Sequence, residues 1–240
     1  MEFHCKEFSL NHSKSSMKIG TDAILLSCLS PKAFPENMID IGTGCGIISL
    51  CMAQKYPKAK IIAIDIDKNS VLEASENFRN SKYFERLVAK EISLEDFVLT
   101  NNQKFDLIIS NPPFFISSLE SPKENRNNAR HNISLSYNEL ISYSRRIISP
   151  NGILSIILPF KESKIFEHSA NDEGFEVVFR TKIFSKPNKV CERVVLHLKL
   201  KESIIKEDFQ FVLIEKEIIL RDEQNNYTED YKNLVKEFLL

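Results

Sequence analysis

Short apolar runs alternate with longer segments of mixed polarity along most of the chain. Runs of this kind are typical of strands buried on both faces, and the segments between them carry the spacing of amphipathic helices. The expected strands are residues 38–41, 60–66, 86–90, 107–109 and 153–158. The expected helices are residues 23–29, 47–54, 69–79, 93–97, 135–148 and 163–170. Strands that alternate with helices in this way indicate a doubly wound α/β fold with a parallel sheet.

Two longer runs follow the fifth strand, at residues 175–183 and 190–200. The connection between them, FSKPNK, predicts a turn and therefore an antiparallel hairpin. The sheet is thus expected to have seven strands, mostly parallel, with an antiparallel pair at its C-terminal end. Residues 211–220 predict a further strand, which a turn and a terminal helix follow.

The fourth expected strand ends at Asn111-Pro112-Pro113, and two phenylalanines follow, of which Phe114 is the first. Neither proline donates a backbone hydrogen bond, and Pro113 holds Pro112 in an extended conformation. An amide side chain and a carbonyl are therefore fixed at the carboxyl end of a strand, where open α/β sheets bind ligands. Asn and Pro are also ordinary turn formers, but their place directly after a buried strand favours a binding site.

A glycine loop follows the first expected strand of the sheet. It reads Asp40-Ile41-Gly42-Thr43-Gly44-Cys45-Gly46 and leads into a helix. Glycines allow the backbone to pass close to a ligand, although any strand–helix turn can need one. The GxGxG spacing differs from the GxGxxG of nicotinamide-binding proteins, and no P-loop lysine follows.

Asp65, at the end of the second expected strand, is placed to bind both hydroxyls of a ribose, with Ile66 beside it. The alternative is a helix cap, a role that Asp67 can fill. Glu91 and Ile92 end the third strand at the level of an adenine ring, although Glu91 is equally compatible with a solvated surface residue.

Residues 15–29 predict a loop that leads into a short helix, with Thr21 or Asp22 as its cap. Lys18, Thr21 and Asp22 are either cap and surface residues or the part of a helix N-terminus that holds a carboxylate.

Composition and charge narrow the class of protein. The chain is 42% hydrophobic and 27% charged, with a net charge of −1, so any contact with nucleic acid must come from a local patch. The candidate basic residues are Arg126, Arg130 and His131 in a polar loop, and Lys182, Lys186 and Lys189 near the hairpin tip. The same residues are also compatible with a solvated surface.

The chain has five cysteines, which is an odd number, and no CxxC pair. This pattern indicates reduced thiols in a cytoplasmic protein and no metal site. No run reaches the length of a membrane span, and the first residues do not form a signal peptide.

The acidic GxGxG loop, the acidic second strand and the NPPF motif together resemble the class I S-adenosylmethionine-dependent methyltransferases. The NPPF motif is similar to that of the N6-adenine methyltransferases and the protein-glutamine methyltransferases. Three further stretches, MKIGTDAILL at 17–26, RNNARH at 126–131 and RDEQNNYTEDY at 221–231, are similar to the bacterial tRNA1(Val) N6-adenine methyltransferases. Ala23 departs from that pattern, in which glycine is common.

The resemblance implies S-adenosylmethionine as cofactor and adenine 37 in the anticodon loop of tRNA1(Val) as target. The oligomeric state does not follow from the resemblance, and a monomer is expected. It implies one methyltransferase domain over 1–240, with a cofactor-closing segment at 1–34, a Rossmann-like core at 35–200 and a C-terminal extension at 201–240. The cofactor-binding residues would be Lys18, Thr21, Asp22, Asp40, Gly42, Gly44, Gly46, Asp65, Ile66, Glu91, Ile92 and Asn111. The catalytic residues would be Asn111, Pro112, Pro113 and Phe114.

The chemistry of the motif supports this interpretation. The Asn111 side-chain oxygen and the Pro112 carbonyl can each accept one hydrogen of an exocyclic amine, which directs the nitrogen lone pair at the methyl group. Phe114 would stack on the base. The alternatives are a protein-glutamine methyltransferase, which the lack of a separate recognition domain disfavours, and a non-catalytic RNA-binding module, which the intact motifs disfavour.

Overall fold

The computed structural model describes residues 1–15, 18–31, 34–112, 135–206 and 213–239. Ten strands lie in these ranges: β1 Glu2–His4, β2 Ser9–Asn11, β3 Asn37–Ile41, β4 Lys60–Asp65, β5 Leu87–Glu91, β6 Phe105–Ser110, β7 Ile148–Pro159, β8 Phe175–Phe184, β9 Arg193–Leu200 and β10 Ile214–Ile219. The α-helices in the same ranges are α1 Thr21–Leu29, α2 Ile47–Lys55, α3 Lys68–Arg79, α4 Leu94–Thr100, α5 Tyr137–Ile147, α6 Phe160–Asp172, α7 Lys201–Lys206 and α8 Glu229–Val235.

The main sheet has the strand order β10-β8-β9-β7-β6-β3-β4-β5. Every neighbouring pair is parallel except the two pairs that β9 makes with β7 and β8. This confirms the α/β class, the mostly parallel sheet and the antiparallel hairpin. Since all strands of the sheet except β9 run in one direction, their carboxyl ends lie along one edge.

Helices α3 and α5 form because each has a side-chain cap at its start and one apolar face. The Asp67 side chain accepts from the N–H groups of Asn69 and Ser70 at the start of α3, as expected. Ser136 and Glu139 form a reciprocal capping box at the start of α5. Such caps satisfy N–H groups that have no partner within the helix.

The sheet has a hydrophobic core on each face. Ile24 of α1, Leu50 of α2 and Phe78 of α3 are buried in one core, and α8 packs on this side too. Residues of α4, α5 and α6 are buried in the other. The sheet is therefore covered on both faces, which explains the near-continuous apolar strands of the sequence.

Within the part of the chain that the structure describes, the sheet contains eight strands rather than the expected seven. The additional strand is β10, which pairs in parallel with β8 from Ile214↔Phe179 to Ile219↔Phe184. The sequence predicts this strand but not its place, because pairing between segments distant in sequence leaves no periodic signal.

Two local predictions differ from the structure. The fifth strand, expected at residues 153–158, begins earlier, as β7 at Ile148, and has an irregular register opposite Phe105 and Leu107. Helix α1 is preceded by Gly20 and has no side-chain cap, so neither Thr21 nor Asp22 caps it. The N-terminal residues form the antiparallel pair β1–β2.

The two terminal segments meet on one side of the molecule. Lys6 donates its backbone N–H to the carbonyl of Phe238 at 2.9 Å, and the Gln54 side chain donates to the carbonyl of Glu237 at 2.8 Å. Phe238 is fully buried. The segment after α8 is therefore part of the same core as β1, β2 and α2. Among the described residues no helix is long and apolar enough to cross a membrane.

Candidate active site

A cavity of about 950 Å³ opens at the carboxyl edge of β3, β4, β5 and β6. Residues 18–23, 41–45, 47–48, 64–67, 92–95 and 110–112 line it, with Leu135, Glu139, Tyr143 and Arg193. Its volume is within the range of small-molecule sites in proteins. The cavity is thus where an open α/β sheet is expected to bind a ligand.

The glycine loop between β3 and α2 forms one wall. Gly44 has a φ of 55°, in the left-handed region, and a Cβ built on it would meet nothing within 4 Å. Gly46 has a φ of 86°, and a Cβ there would lie 2.5 Å from the Phe78 ring. Gly44 therefore leaves open space for a ligand beside the backbone, whereas Gly46 allows α2 to pack against α3.

Asp40 lies beneath this loop, fully buried and outside the cavity lining. Its Oδ2 accepts hydrogen bonds from the hydroxyls of Thr43 and Ser49, each at 2.7 Å. Its Oδ1 has no partner among the described residues. Burial raises the pKa of Asp40 to about 6. The structure thus gives Asp40 a role in holding the loop and α2 together rather than in touching a ligand.

Asp65 ends β4 and faces the cavity. Its Oδ2 accepts from the backbone N–H of Gly44, and its Oδ1 accepts from that of Asp67, both at 2.9 Å. Burial raises its pKa. These two bonds fix the carboxylate in the position that the sequence predicts for ribose binding.

The part of the cavity wall that follows β4 and β5 is apolar. Ile66 and Ile92 both line the cavity, and Ile66 remains 62% exposed. Glu91 is an exposed residue of the outermost strand β5 and does not line the cavity. Its side chain, predicted to meet adenine, is therefore not among the groups that the structure brings to the site.

Two polar residues that the sequence did not single out are near this position. Glu95 of α4 and Tyr143 of α5 both line the cavity. Burial and a hydrogen bond to Glu95 raise the pKa of Tyr143. Their contact connects α4 to α5 across the cavity. No motif marks either residue, because each lies on a helix face whose direction depends on packing.

Asn111 and Pro112 directly follow β6. The Asn111 Oδ1 is buried and has no hydrogen-bond partner among the described residues, and Pro112 is buried beside it. Ser110 holds the end of β6 in place by donating its hydroxyl to the carbonyl of Ile41 at 2.8 Å. Buried acceptors without a partner are uncommon in folded proteins, so this oxygen is a candidate for ligand binding. Pro113, Phe114, Arg126, Arg130 and His131 lie outside the described residues.

Residues 18–23 form the lip of the cavity. The Lys18 ammonium donates to the carbonyls of His12 at 2.8 Å and Ser13 at 2.7 Å, so it stabilises the preceding loop. Asp22 accepts from Arg193 Nε at 2.9 Å. Lys18, Thr21 and Asp22 all line the cavity as predicted, but two of them are engaged with protein partners.

Glu73 of α3 anchors this lip from below. Its Oε1 accepts from the backbone N–H groups of Ser13 at 2.7 Å and Lys14 at 2.9 Å, and its Oε2 accepts from that of Ser15 at 2.8 Å. Burial opposes ionisation, but these N–H groups hold the pKa of Glu73 below its usual value. No motif marks Glu73, because its partners lie about 60 residues earlier in the chain.

The β8–β9 turn lies at the same edge of the sheet as the cavity. Arg193, the first residue of β9, pairs with Pro159 at the end of β7 and also lines the cavity. Lys186 and Lys189 lie in this turn, whereas Lys182 lies within β8 with its Nζ 3.9 Å from Glu215 Oε2. Lys186 and Lys189 therefore lie at the edge of the sheet where the cavity opens.

Comparisons with known proteins agree with this geometry. Residues 9–168 match the model of the methyltransferase small domain. A Bacteroides fragilis protein named tRNA1(Val) (adenine(37)-N6)-methyltransferase is 34% identical over 242 residues, which cover 99% of this chain and 97% of the relative. A Christiangramia forsetii protein of the same name is 35% identical over 243 residues, with the same two coverages.

A solved structure shares the fold. Atu636 from Agrobacterium tumefaciens, described as a predicted O-methyltransferase, superposes with a TM-score of 0.69 at 16% identity, covering 90% of this chain and 96% of the other. The sequence relatives match almost the whole chain. The chain therefore belongs to the tRNA1(Val) (adenine(37)-N6)-methyltransferase family, within the methyltransferases of the small-domain type.

Proposed function

We propose that this protein transfers the methyl group of S-adenosylmethionine to the exocyclic N6 of an unpaired adenine in tRNA. Adenine 37 in the anticodon loop of tRNA1(Val), the target that the relatives' name states, is the proposed site. The observation that carries the catalytic part is the buried Asn111 Oδ1 without a partner among the described residues, beside Pro112 at the end of β6.

The residues of the cavity fit the cofactor. Ile66 and Ile92 offer apolar surfaces for the adenine ring of the cofactor, and the fixed carboxylate of Asp65 suits the two ribose hydroxyls. The open space beside Gly42 and Gly44 allows the ligand to approach the backbone closely. Thr21 and Asp22 lie in the first turn of α1 and line the cavity, with Lys18 just before them, and the free N–H groups of this turn suit a carboxylate.

When bound, S-adenosylmethionine supplies an electrophilic methyl group. Asn111 Oδ1 and the Pro112 carbonyl accept the two hydrogens of the adenine N6, so its lone pair is directed away from the ring and toward the cavity. An amide is neutral and does not act as a base. The contribution of these residues is therefore orientation and removal of water, and the surplus proton leaves after the transfer.

The position of Asn111 at the end of a buried strand also restricts the substrate. An adenine that is stacked and paired cannot bring N6 to an oxygen held below the edge of the sheet, so the base must be unpaired or extruded. A purine in an anticodon loop meets this requirement.

We further propose that Lys186 and Lys189, at the same edge, contact phosphates of the tRNA. We also propose that the enzyme acts as a monomer in the cytoplasm.

The experiment that tests this function offers two acceptors at once. Purified protein is incubated with S-adenosylmethionine labelled in the methyl group and with either total tRNA or total protein from bacteria. Label is expected in tRNA, and digestion to nucleosides should give N6-methyladenosine. Label in glutamine side chains of proteins, with none in RNA, would contradict the proposal and favour the glutamine methyltransferase.

A further inference from the structure

The segment after β10 forms a compact turn at the same edge of the sheet as the β8–β9 turn. Leu220 donates its N–H to the carbonyl of Phe184 at 2.9 Å, and Arg221 donates to that of Ser185 at 3.0 Å. These bonds continue the parallel pairing of β10 with β8 beyond the strand ends. Residues 220–228, which we call the terminal turn, are thereby attached to the start of the lysine-bearing turn.

The terminal turn is held by its own hydrogen bonds. Arg221 and Tyr227 form an antiparallel bridge. Within the turn, Asp222 Oδ1 accepts from the N–H of Asn226 at 2.8 Å. The Thr228 hydroxyl donates to the carbonyl of Ile219 at 2.6 Å. The turn therefore presents its side chains in a defined arrangement rather than as a loose tail.

Its side chains form a stack of three planar groups. The Arg221 guanidinium carbon is 4.0 Å from the centre of the Tyr227 ring. That ring lies 4.7 Å from the Tyr231 ring at an interplanar angle of 26°. Tyr231 is buried and anchors the stack, whereas Tyr227 is 44% exposed and Arg221 is partly exposed. A guanidinium plane on an exposed aromatic ring is the type of surface on which unpaired nucleobases stack.

Three cations lie in the two adjoining turns. Lys186 and Lys189 make no ion pair with another described residue, and Arg221 uses its guanidinium for one backbone carbonyl, that of Asn225. The Asp222 carboxylate is occupied within the turn, whereas Glu192, Glu223 and Asp230 are exposed carboxylates nearby. The planar groups of the stack, rather than an excess of positive charge, therefore carry the argument for single-stranded RNA.

The position of the stack relative to Asn111 suits one continuous ligand. Going from β6 to β10 crosses β7, β9 and β8, four strand spacings or about 19 Å in total. Asn111 and the stack both lie at the carboxyl edge of the sheet. A few nucleotides of single-stranded RNA span such a distance, so a base in the cavity and a base on the stack can belong to one loop.

We infer that the Arg221–Tyr227–Tyr231 stack, with Lys186 and Lys189 beside it, is a docking surface for unpaired nucleotides of the substrate RNA outside the target base. This inference rests on the proposed function, since it takes RNA as the substrate. It assigns a role to the terminal turn and to β10, which places the turn at the carboxyl edge of the sheet.

The test compares four full-length variants in binding to a fluorescently labelled tRNA anticodon stem-loop, measured by anisotropy. Tyr227→Ala removes the exposed ring, and Tyr227→Phe is its matched control with the ring retained. Arg221→Lys keeps the charge and removes the plane, and Glu223→Gln removes one of the nearby carboxylates. Thermal unfolding of each variant, and its affinity for S-adenosylhomocysteine, report whether the fold and the cavity are intact.

Tyr227→Ala and Arg221→Lys are expected to weaken RNA binding by about tenfold each, the size of one lost stacking contact. Tyr227→Phe should bind as the unaltered protein does, and Glu223→Gln slightly more tightly. Unchanged binding by Tyr227→Ala and Arg221→Lys, in protein that still methylates RNA, would overturn the docking surface alone. Absence of both RNA binding and RNA methylation in the unaltered protein would overturn the proposed function as well.

Discussion

The two ends of the cavity differ in how their polar groups are satisfied. At the glycine loop, the Asp65 oxygens each accept a backbone N–H, so the carboxylate is fixed before any ligand enters. At the end of β6, the Asn111 oxygen is buried without a partner among the described residues. The polar groups at the glycine-loop end are therefore satisfied by the protein itself, whereas the end of β6 has an acceptor that is available to a ligand.

This difference follows from what each end must do. A site that binds a cofactor gains affinity when its groups are held in the bound geometry beforehand. A site that activates an amine gains rate only from contacts that the reacting nitrogen itself makes, since groups already satisfied by the protein offer nothing to the transition state. Substitutions at the two ends should thus affect different measured quantities.

The largest effect is expected at the reacting end. Asn111→Ala removes one of the two acceptors for N6. It leaves unchanged the glycine loop and Asp65, which we assign to the cofactor. Turnover should fall by about 2–4 kcal/mol of transition-state stabilisation, the scale of a lost preorganised polar contact. Single-turnover methylation of tRNA measures this, with S-adenosylhomocysteine affinity as the control. Equal rates for the variant and the unaltered protein would rule out the role of Asn111.

The second prediction concerns the scaffold of the cofactor end. Because burial raises the pKa of Asp40 from 3.8 to about 6, the folded state binds more protons than the unfolded state between these values. The free energy of unfolding should therefore decrease as pH rises from about 4 to 6, by about 3 kcal/mol from this group, and stay low above pH 6.

Asp40→Asn removes this titration, so its unfolding free energy should lack that part of the decrease. Urea unfolding of both proteins at several pH values between 4 and 7 measures the difference. Asp172→Asn, an exposed residue of α6, is the control and should follow the unaltered protein. Parallel curves for Asp40→Asn and the unaltered protein would contradict the predicted pKa shift.

The third prediction concerns cofactor affinity. Asp65→Ala should weaken S-adenosylhomocysteine binding by about 2 kcal/mol, because hydrogen bonds to a charged group are lost. Glu91→Gln should leave the affinity unchanged, since Glu91 lies outside the cavity lining. Calorimetry measures both, and NAD should give no heat of binding. A loss of affinity in Glu91→Gln equal to that in Asp65→Ala would restore the adenine-binding role predicted from the sequence.

The smallest effect should appear outside both ends of the cavity. Replacing Lys186 and Lys189 by alanine should weaken tRNA binding without a change in cofactor affinity. The slope of log affinity against log salt should fall by about 0.7 to 0.9 for each lost phosphate contact. Parallel salt plots for the double variant and the unaltered protein would show that these lysines are solvated and make no contact with RNA.

The sequence predicted the parts of this protein that depend on local pattern. The strands β3 to β9, the glycine loop, the cap at Asp67 and the position of Asn111 all follow from periodicity and from Gly and Pro placement. Each is specified by residues close together in the chain, where steric limits on the backbone act directly.

What the sequence did not predict depends on segments that meet only in the folded chain. Arg193 reaches Asp22 across a separation of 171 residues, and Glu73 holds a loop about 60 residues before it. The place of β10 beside β8 and the exclusion of Glu91 from the cavity are also decided by packing. Such contacts leave no mark within a short window of one sequence.

The outermost strand β10 also has a consequence for how the molecule behaves at high concentration. An open sheet edge offers unpaired N–H and carbonyl groups to any other chain, and alternating charges on an edge strand hinder such pairing. Glu215, Lys216 and Glu217 occupy the middle of β10 and are exposed. The neighbouring strand β8 contributes apolar residues to the core. Because the charged strand β10 pairs with β8 and forms the edge in its place, the C-terminal segment protects the sheet from edge-to-edge aggregation.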